Sequence, residues 1–98
     1  GHPQEISMDS AIQFRVVGHV QGVGFRAFVS QRGVQLGLTG WVKNSSDGSV
    51  VGMVEGDQGL VVEFIKELRI GNRWSSVDRV EEQSHKFSGD FESFEIRY

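Results

Sequence analysis

Seven residues, Val20-Gln21-Gly22-Val23-Gly24-Phe25-Arg26, leave this chain little choice of local fold. Ahead of them Ile12, Phe14 and Val16 alternate with Gln13, Arg15 and Val17 as far as Gly18, the period-two pattern of a half-buried strand. Behind them Phe25, Phe28, Val29, Arg32 and Leu36 fall on one helical face, and Gly37 stands where a left-handed residue would close the helix. A strand must therefore turn into a helix within a few residues, and Gly22 and Gly24 permit the backbone conformations such a turn uses. The same glycines let several N–H groups face one point, while the helix start adds unpaired N–H groups and the positive end of its dipole. Arg26 contributes a planar charged fork fitted to phosphate oxygens. The run reads as a cradle for a phosphate-type anion, with a purely structural tight turn as the alternative.

The spacing Gly22-x-Gly24-x-x-Ala27 also fits the loose dinucleotide-binding fingerprint, which needs an acidic residue about 20 residues on to hold a ribose. Asn44-Ser45-Ser46 occupy that place, and a chain of 98 residues has no second mononucleotide-binding half. That length suits one domain with one core. Ten basic residues against thirteen acidic ones leave a formal charge of −3, which argues against general affinity for nucleic acid or an anionic membrane. Anion binding must be local. The absence of cysteine excludes disulfides, thiolate catalysis and most zinc sites. No stretch approaches the roughly 18 apolar residues of a spanning helix, so a cytoplasmic protein is expected. Gly1-His2-Pro3 shows neither periodicity nor an initiator methionine. Residues 1–8 are expected to be a disordered or cloning-derived segment, and the domain to run over 9–98.

Leu38 to Asn44 reads as a second strand, and Asp47-Gly48 is a hairpin signal before Ser49 to Glu55 returns. Gly40 and Gly52 inside these strands imply that something approaches the sheet closely, a packed helix being the simplest candidate. Asp57 can cap a second helix, in which Val61, Phe64, Ile65 and Leu68 recur at i, i+3, i+4, i+7, with Gly71 as its stop. Burying each of these four contributes about 1.5–3 kcal/mol. That is large beside a net stability of about 5–15 kcal/mol, so the stripe needs no cofactor to explain it. Val77 and Val80 lie in a polar strand with room for a bulge, and Phe91 to Tyr98 alternates again. The order βαββαβ plus a short last strand predicts an α+β sandwich, two helices on one face of an antiparallel sheet. Chain direction then brings the ends of strands one and two to the same edge. The loop and Asn44 meet there, and the Asp47-Gly48 turn bounds a shallow pocket.

The motifs Gly18-His19-Val20-Gln21-Gly22-Val23-Gly24-Phe25-Arg26, Leu36-Gly37-Leu38-Thr39-Gly40-Trp41-Val42-Lys43-Asn44, Asp47-Gly48-Ser49-Val50, Val54-Glu55-Gly56 and Phe94-Glu95-Ile96-Arg97-Tyr98 together resemble the acylphosphatase family. The resemblance implies a ferredoxin-like fold and hydrolysis of acyl phosphates to a carboxylate and inorganic phosphate, with no metal or cofactor. It implies that Arg26 binds the phosphoryl group, that N–H groups of His19, Val20, Gln21, Gly22, Val23, Gly24 and Phe25 surround it, and that Asn44 holds the attacking water. Inorganic phosphate or sulfate is then an expected site ligand, and a monomer the expected state. Ser45 stands where the family often has threonine. Gly71-Asn72-Arg73-Trp74 replaces the usual glycine-proline, in a loop expected to lie away from the site.

Other readings compete at several of these positions. Arg26 in a first turn opposes the helix dipole unless an anion is bound. Asn44 could simply cap the hairpin. His19 borders the loop and has the pKa of a general base, although loop decoration is the simpler role, and His85 reads as exposed and structural. Adjacent carboxylates at Glu81-Glu82 face opposite sides of a strand, which favours a solvated face, as for Glu92 and Glu95. Phe14 and Trp41 could stack bases, but Ser49 to Val54 lacks the aromatics of RNA-recognition sheets. The alternatives to an enzyme of this kind are a non-catalytic ligand- or RNA-binding module and an excised acylphosphatase-like domain of a carbamoyl-transfer maturation factor. The chain's end at Tyr98, without a cysteine-rich continuation, leads us to expect a free-standing enzyme.

Overall fold

A computed structural model describes residues 8–98, so the expectation for residues 1–8 lies, apart from Met8, outside the described residues. The elements are β1 (Asp9–His19), α1 (Phe25–Gln35), β2 (Thr39–Asn44), β3 (Val50–Asp57), α2 (Gln58–Ile70), β4 (Ser76–His85) and β5 (Phe94–Ile96). The five strands form one sheet in the order β4-β1-β3-β2-β5. β1 pairs antiparallel with β3 and β4, and β2 antiparallel with β3. β5 lies parallel to β2, so the antiparallel sheet expected from the sequence is mixed at one edge. The fold is ferredoxin-like with that extra strand.

The helices pack on one face. Asp57 caps α2 by accepting the Leu60 N–H at 3.1 Å, and Val61, Phe64, Ile65 and Leu68 are all buried. Phe64 joins three elements: its ring meets Phe14 of β1 edge-on at 5.7 Å and Phe94 of β5 at 5.6 Å. α1 buries Phe25, Val29 and Gly33. A side chain at Gly33 would overlap the Phe94 ring, which explains a glycine at mid-helix. The helix closes as its pattern predicts, with Gly37 at φ 71°, the Leu38 N–H on the Gly33 carbonyl at 2.8 Å and the Gly37 N–H on Val34 at 3.0 Å. The close approach at Gly40 and Gly52 is real, but no helix makes it. A Cβ on Gly40 would strike the Met53 carbonyl, and one on Gly52 would strike the Trp41 carbonyl and the Phe14 ring. The intruders are neighbouring strands and one core ring.

β4 carries its bulge where β1 ends: Val17 pairs with Arg79 and Gly18 with Val77, leaving Asp78 as the extra residue. From β4 the chain crosses to the far edge of the sheet, and a buried carboxylate fixes the crossing. Glu55 is 1% exposed. Its Oε2 accepts the Ser88 N–H at 3.1 Å and the Ser88 hydroxyl at 2.8 Å, and its Oε1 accepts the Gly89 N–H at 3.0 Å. Charged acceptors make strong hydrogen bonds, and stranded buried donors are costly. Glu55→Ala should therefore lower the unfolding free energy by about 2–4 kcal/mol in urea titration, with a smaller loss for Glu55→Gln, which keeps an acceptor.

Candidate active site

The loop between β1 and α1 is irregular because its glycines make it so. Gly22 (φ 75°) and Gly24 (φ 73°) both take left-handed conformations. Gly24 is also the N-cap residue of α1 and offers no capping side chain, so the first-turn N–H groups are left for another acceptor. The loop's ends are anchored in the core, where Val20 and Phe25 are each 1% exposed.

Above them a cavity of about 190 Å³ is lined by Val20, Gly22, Gly24, Phe25 and Arg26, by Asn44 at the end of β2, by Ile96 at the end of β5 and by Tyr98 beyond it. Arg26 and Asn44 thus share one cavity, as chain direction predicts. The Arg26 guanidinium makes only a long contact to the Arg97 carbonyl, at 3.4 Å, and lies 4.7 Å from the centre of the exposed Tyr98 ring. Asn44 is half-buried, and its carboxamide oxygen is fully buried yet meets no protein donor. A buried polar oxygen without a partner is uncommon and marks a place where something polar belongs.

Other expected site residues take different positions. His19 is an exposed end residue of β1 paired with Ser76 and does not line the cavity. His85 faces Gln13 on the strand edge, 2.8 Å from its Oε1. Gln21 and Val23 do not line the cavity, and Val23 packs against the core. Gln21 donates its side-chain N–H groups to the Ser45 carbonyl at 2.7 Å and the Ser49 carbonyl at 2.9 Å, tying the loop to the β2–β3 hairpin turn. That turn braces the site rather than bounding its cavity, a correction to the sequence reading. The α2–β4 connection also needs correcting, since it does not lie away from the site: the Asn72 side-chain N–H donates to the Val23 carbonyl at 2.9 Å. Chain direction brings the end of α2 to the same edge as the ends of β1 and β2, which is the sequence signal for this contact. Nothing in the sequence pattern places Ile96 and Tyr98 at the cavity, because only the parallel pairing of β5 with β2 carries them to this end.

Among the described residues no three acidic or histidine side chains cluster as metal ligands would. Glu81 pairs with Arg79 and Glu82 with Arg69 on the surface. Phe14 is 1% exposed and unable to stack on a base, and the Trp41 ring lies between Lys43 and Arg97, at 5.9 and 4.9 Å.

Comparison with known proteins is consistent with this geometry. Residues 12–96 match the family model Acylphosphatase. The chain is 42% identical to an acylphosphatase from Caldanaerobacter subterraneus subsp. tengcongensis over 89 residues, covering 91% of this chain and 99% of that one. The crystal structure of the acylphosphatase from Bacillus subtilis superimposes with a TM-score of 0.87 at 32% identity, over 91% of this chain and 99% of that one. Full-length HypF contains a similar unit, with a TM-score of 0.82 and 26% identity over 98% of this chain and 13% of that much longer one.

The hairpin turn beside the site is held by charge. Asp47 accepts the Ser49 N–H at 2.9 Å and its hydroxyl at 2.5 Å, while Arg15 reaches both Asp47 and Ser49, at 2.7 and 2.6 Å. The hydrogen bonds from the Ser49 side chain and backbone, then Ser45 and the charge of Arg15, outweigh partial desolvation and lower the Asp47 pKa to about 2. A lowered carboxyl pKa stabilises the fold above the usual carboxylate range, and that contribution disappears as pH falls toward about 2. Asp47→Asn should therefore be less stable than the parent at neutral pH, and the gap in unfolding midpoints should close on acidification. A gap independent of pH would show that the carboxylate charge does not hold the turn.

Proposed function

Since the chain belongs to the acylphosphatase family and is an enzyme that hydrolyses acyl phosphates, we propose that transfer of the phosphoryl group to water takes place in the cavity between the β1–α1 loop and Asn44. The substrate is a mixed anhydride of a carboxylic acid and phosphate. Its carboxylate leaves readily without protonation, so the enzyme has chiefly to orient the reactants and stabilise charge on the phosphoryl oxygens. Loop N–H groups and the first turn of α1 take those oxygens, and Arg26 exchanges its weak contacts at Arg97 and Tyr98 for a charged fork on the phosphoryl group. The site then recruits a dianion although the whole chain is negative, because loop, helix end and guanidinium act at close range.

The observation that carries the reading is the Asn44 oxygen, buried and unpartnered on the wall that Arg26 shares. With the carboxamide turned slightly into the cavity, it accepts a hydrogen bond from water and points the water's lone pair at phosphorus. A carboxamide cannot take the proton, so the proton passes to a non-bridging phosphoryl oxygen of the substrate. The new P–O bond forms as the bond to the acyl oxygen breaks, the carboxylate departs with the electron pair, and inorganic phosphate stays in the cradle until it dissociates. On this reading free phosphate or sulfate is a ligand of the same cradle. On the same reading the enzyme works in the cytoplasm as a monomer. Among the described residues no helix is long and apolar enough to cross a membrane.

Hydrolysis of an aryl acyl phosphate tests the assignment. Arg26→Ala should lower kcat/KM by at least about 10², and Arg26→Lys should not restore it, because a point charge cannot reproduce the fork. Asn44→Ala should lose most turnover yet remain inhibited by phosphate, and His19→Gln should stay within a few-fold of the parent. Loss of about 10² in the His19 variant would instead identify a general base.

Binding makes a separate prediction. Phosphate at about ten times its dissociation constant should add about 1.4 kcal/mol to the unfolding free energy of the parent and leave Arg26→Ala unchanged, with chloride at matched ionic strength as control. Equal stabilisation of both proteins would mean that the anion acts on the surface at large.

A further inference from the structure

We propose that Asn72, on the connection between α2 and β4, is a positioning residue for the phosphate loop: it fixes the orientation of the Val23–Gly24 peptide so that the Gly24 N–H faces the bound phosphoryl group. The proposal rests on the reading of that loop as the phosphate cradle. No described peptide bond is cis, so the carbonyl and the N–H of the Val23–Gly24 unit point in opposite directions. Asn72 holds the carbonyl from behind at 2.9 Å, and Gly24 lines the cavity that also contains Arg26 and Asn44. Fixing one end of the peptide aims the other.

The loop needs such a hold. Val23 stands between two glycines in left-handed conformations, and glycine takes positive and negative φ with nearly equal ease. The Val23–Gly24 peptide can therefore turn over at little cost, which would present a carbonyl oxygen to an anion. A single donor on that carbonyl selects the productive orientation. The donor must be the amide nitrogen, because a carbonyl can only accept, and this settles which way the Asn72 carboxamide is turned.

Asn72 is itself held in place. Its N–H donates to the Ser75 hydroxyl at 3.0 Å, and that hydroxyl donates back to the Asn72 carbonyl at 3.0 Å. Its side-chain oxygen is buried and meets no protein donor, and the hydrogen bond the carboxamide makes is the one its amide nitrogen donates to Val23. Solvation alone would have turned it outward.

The test compares phosphate inhibition, KM and kcat in the parent, Asn72→Ala, Asn72→Asp and Arg26→Ala, with unfolding midpoints measured without phosphate. One hydrogen bond of ordinary net strength corresponds to a roughly three- to tenfold effect. Asn72→Ala should weaken phosphate inhibition and raise KM by that factor while kcat stays within about twofold. Asn72→Asp should be worse at about pH 7.5, because a carboxylate faces the Val23 carbonyl, and its deficit relative to the parent should shrink as pH falls toward about 4, where the protonated carboxyl becomes a donor. Unchanged phosphate inhibition in Asn72→Ala beside weakened inhibition in Arg26→Ala overturns the role of Asn72 and leaves the cradle standing. A pH-independent deficit in Asn72→Asp also overturns it, since packing and not the donor would then be responsible. Unchanged inhibition in Arg26→Ala would overturn the cradle reading itself.

Discussion

On the reading proposed above, N–H groups of the β1–α1 loop face one point, and such groups repel one another, so the loop keeps that shape only if its peptides are fixed from outside. Several contacts around the β1–α1 loop restrain it. Val20 and Phe25 bury the two ends of the loop, and Gln21 reaches across to two carbonyls of the hairpin turn. Asn72 takes the carbonyl of Val23. The left-handed glycines leave the loop loose, and these side chains restrain it.

The supports arrive from elements far apart in sequence because the fold aligns their ends. β1, β2, α2 and β5 all run toward the site, so the loop, Asn44, Asn72 and Tyr98 emerge around it. Phe64 locks the elements together beneath, touching β1 and β5 from α2. The hairpin turn is held in its own right by Asp47, Ser49 and Arg15, which gives Gln21 a rigid partner. Stability and site geometry are coupled through that turn: the groups that order it also order the loop.

Most secondary structure was readable because each element shows a full period of its pattern together with a stop signal. The α2 stripe with Asp57 before it and Gly71 after it is the clearest instance. The cause of close approach at Gly52 was not readable, because a missing side chain records only that space is needed and leaves open that Phe14 fills it. Glu55 gave no warning of its burial either. A carboxylate near a strand end reads as solvated, and only the path of the chain between β4 and β5 brings Ser88 and Gly89 onto it. Asn72 reads as an ordinary loop residue until the end of α2 is seen beside Val23.

Local order and local chemistry were determined by the sequence itself. Alternation and helical spacing are properties of neighbouring residues, and so is a glycine-rich turn that ends in an arginine. Chain direction extends this to the meeting of Arg26 and Asn44. Only the tertiary structure decided that β5 joins β2 in parallel, that Gln21 faces the hairpin and that Asn72 faces the loop. These contacts span 24 residues or more along the chain and consist of one or two hydrogen bonds or one short strand pairing. No local pattern encodes a contact of that kind, because its partner is set by packing of the whole core.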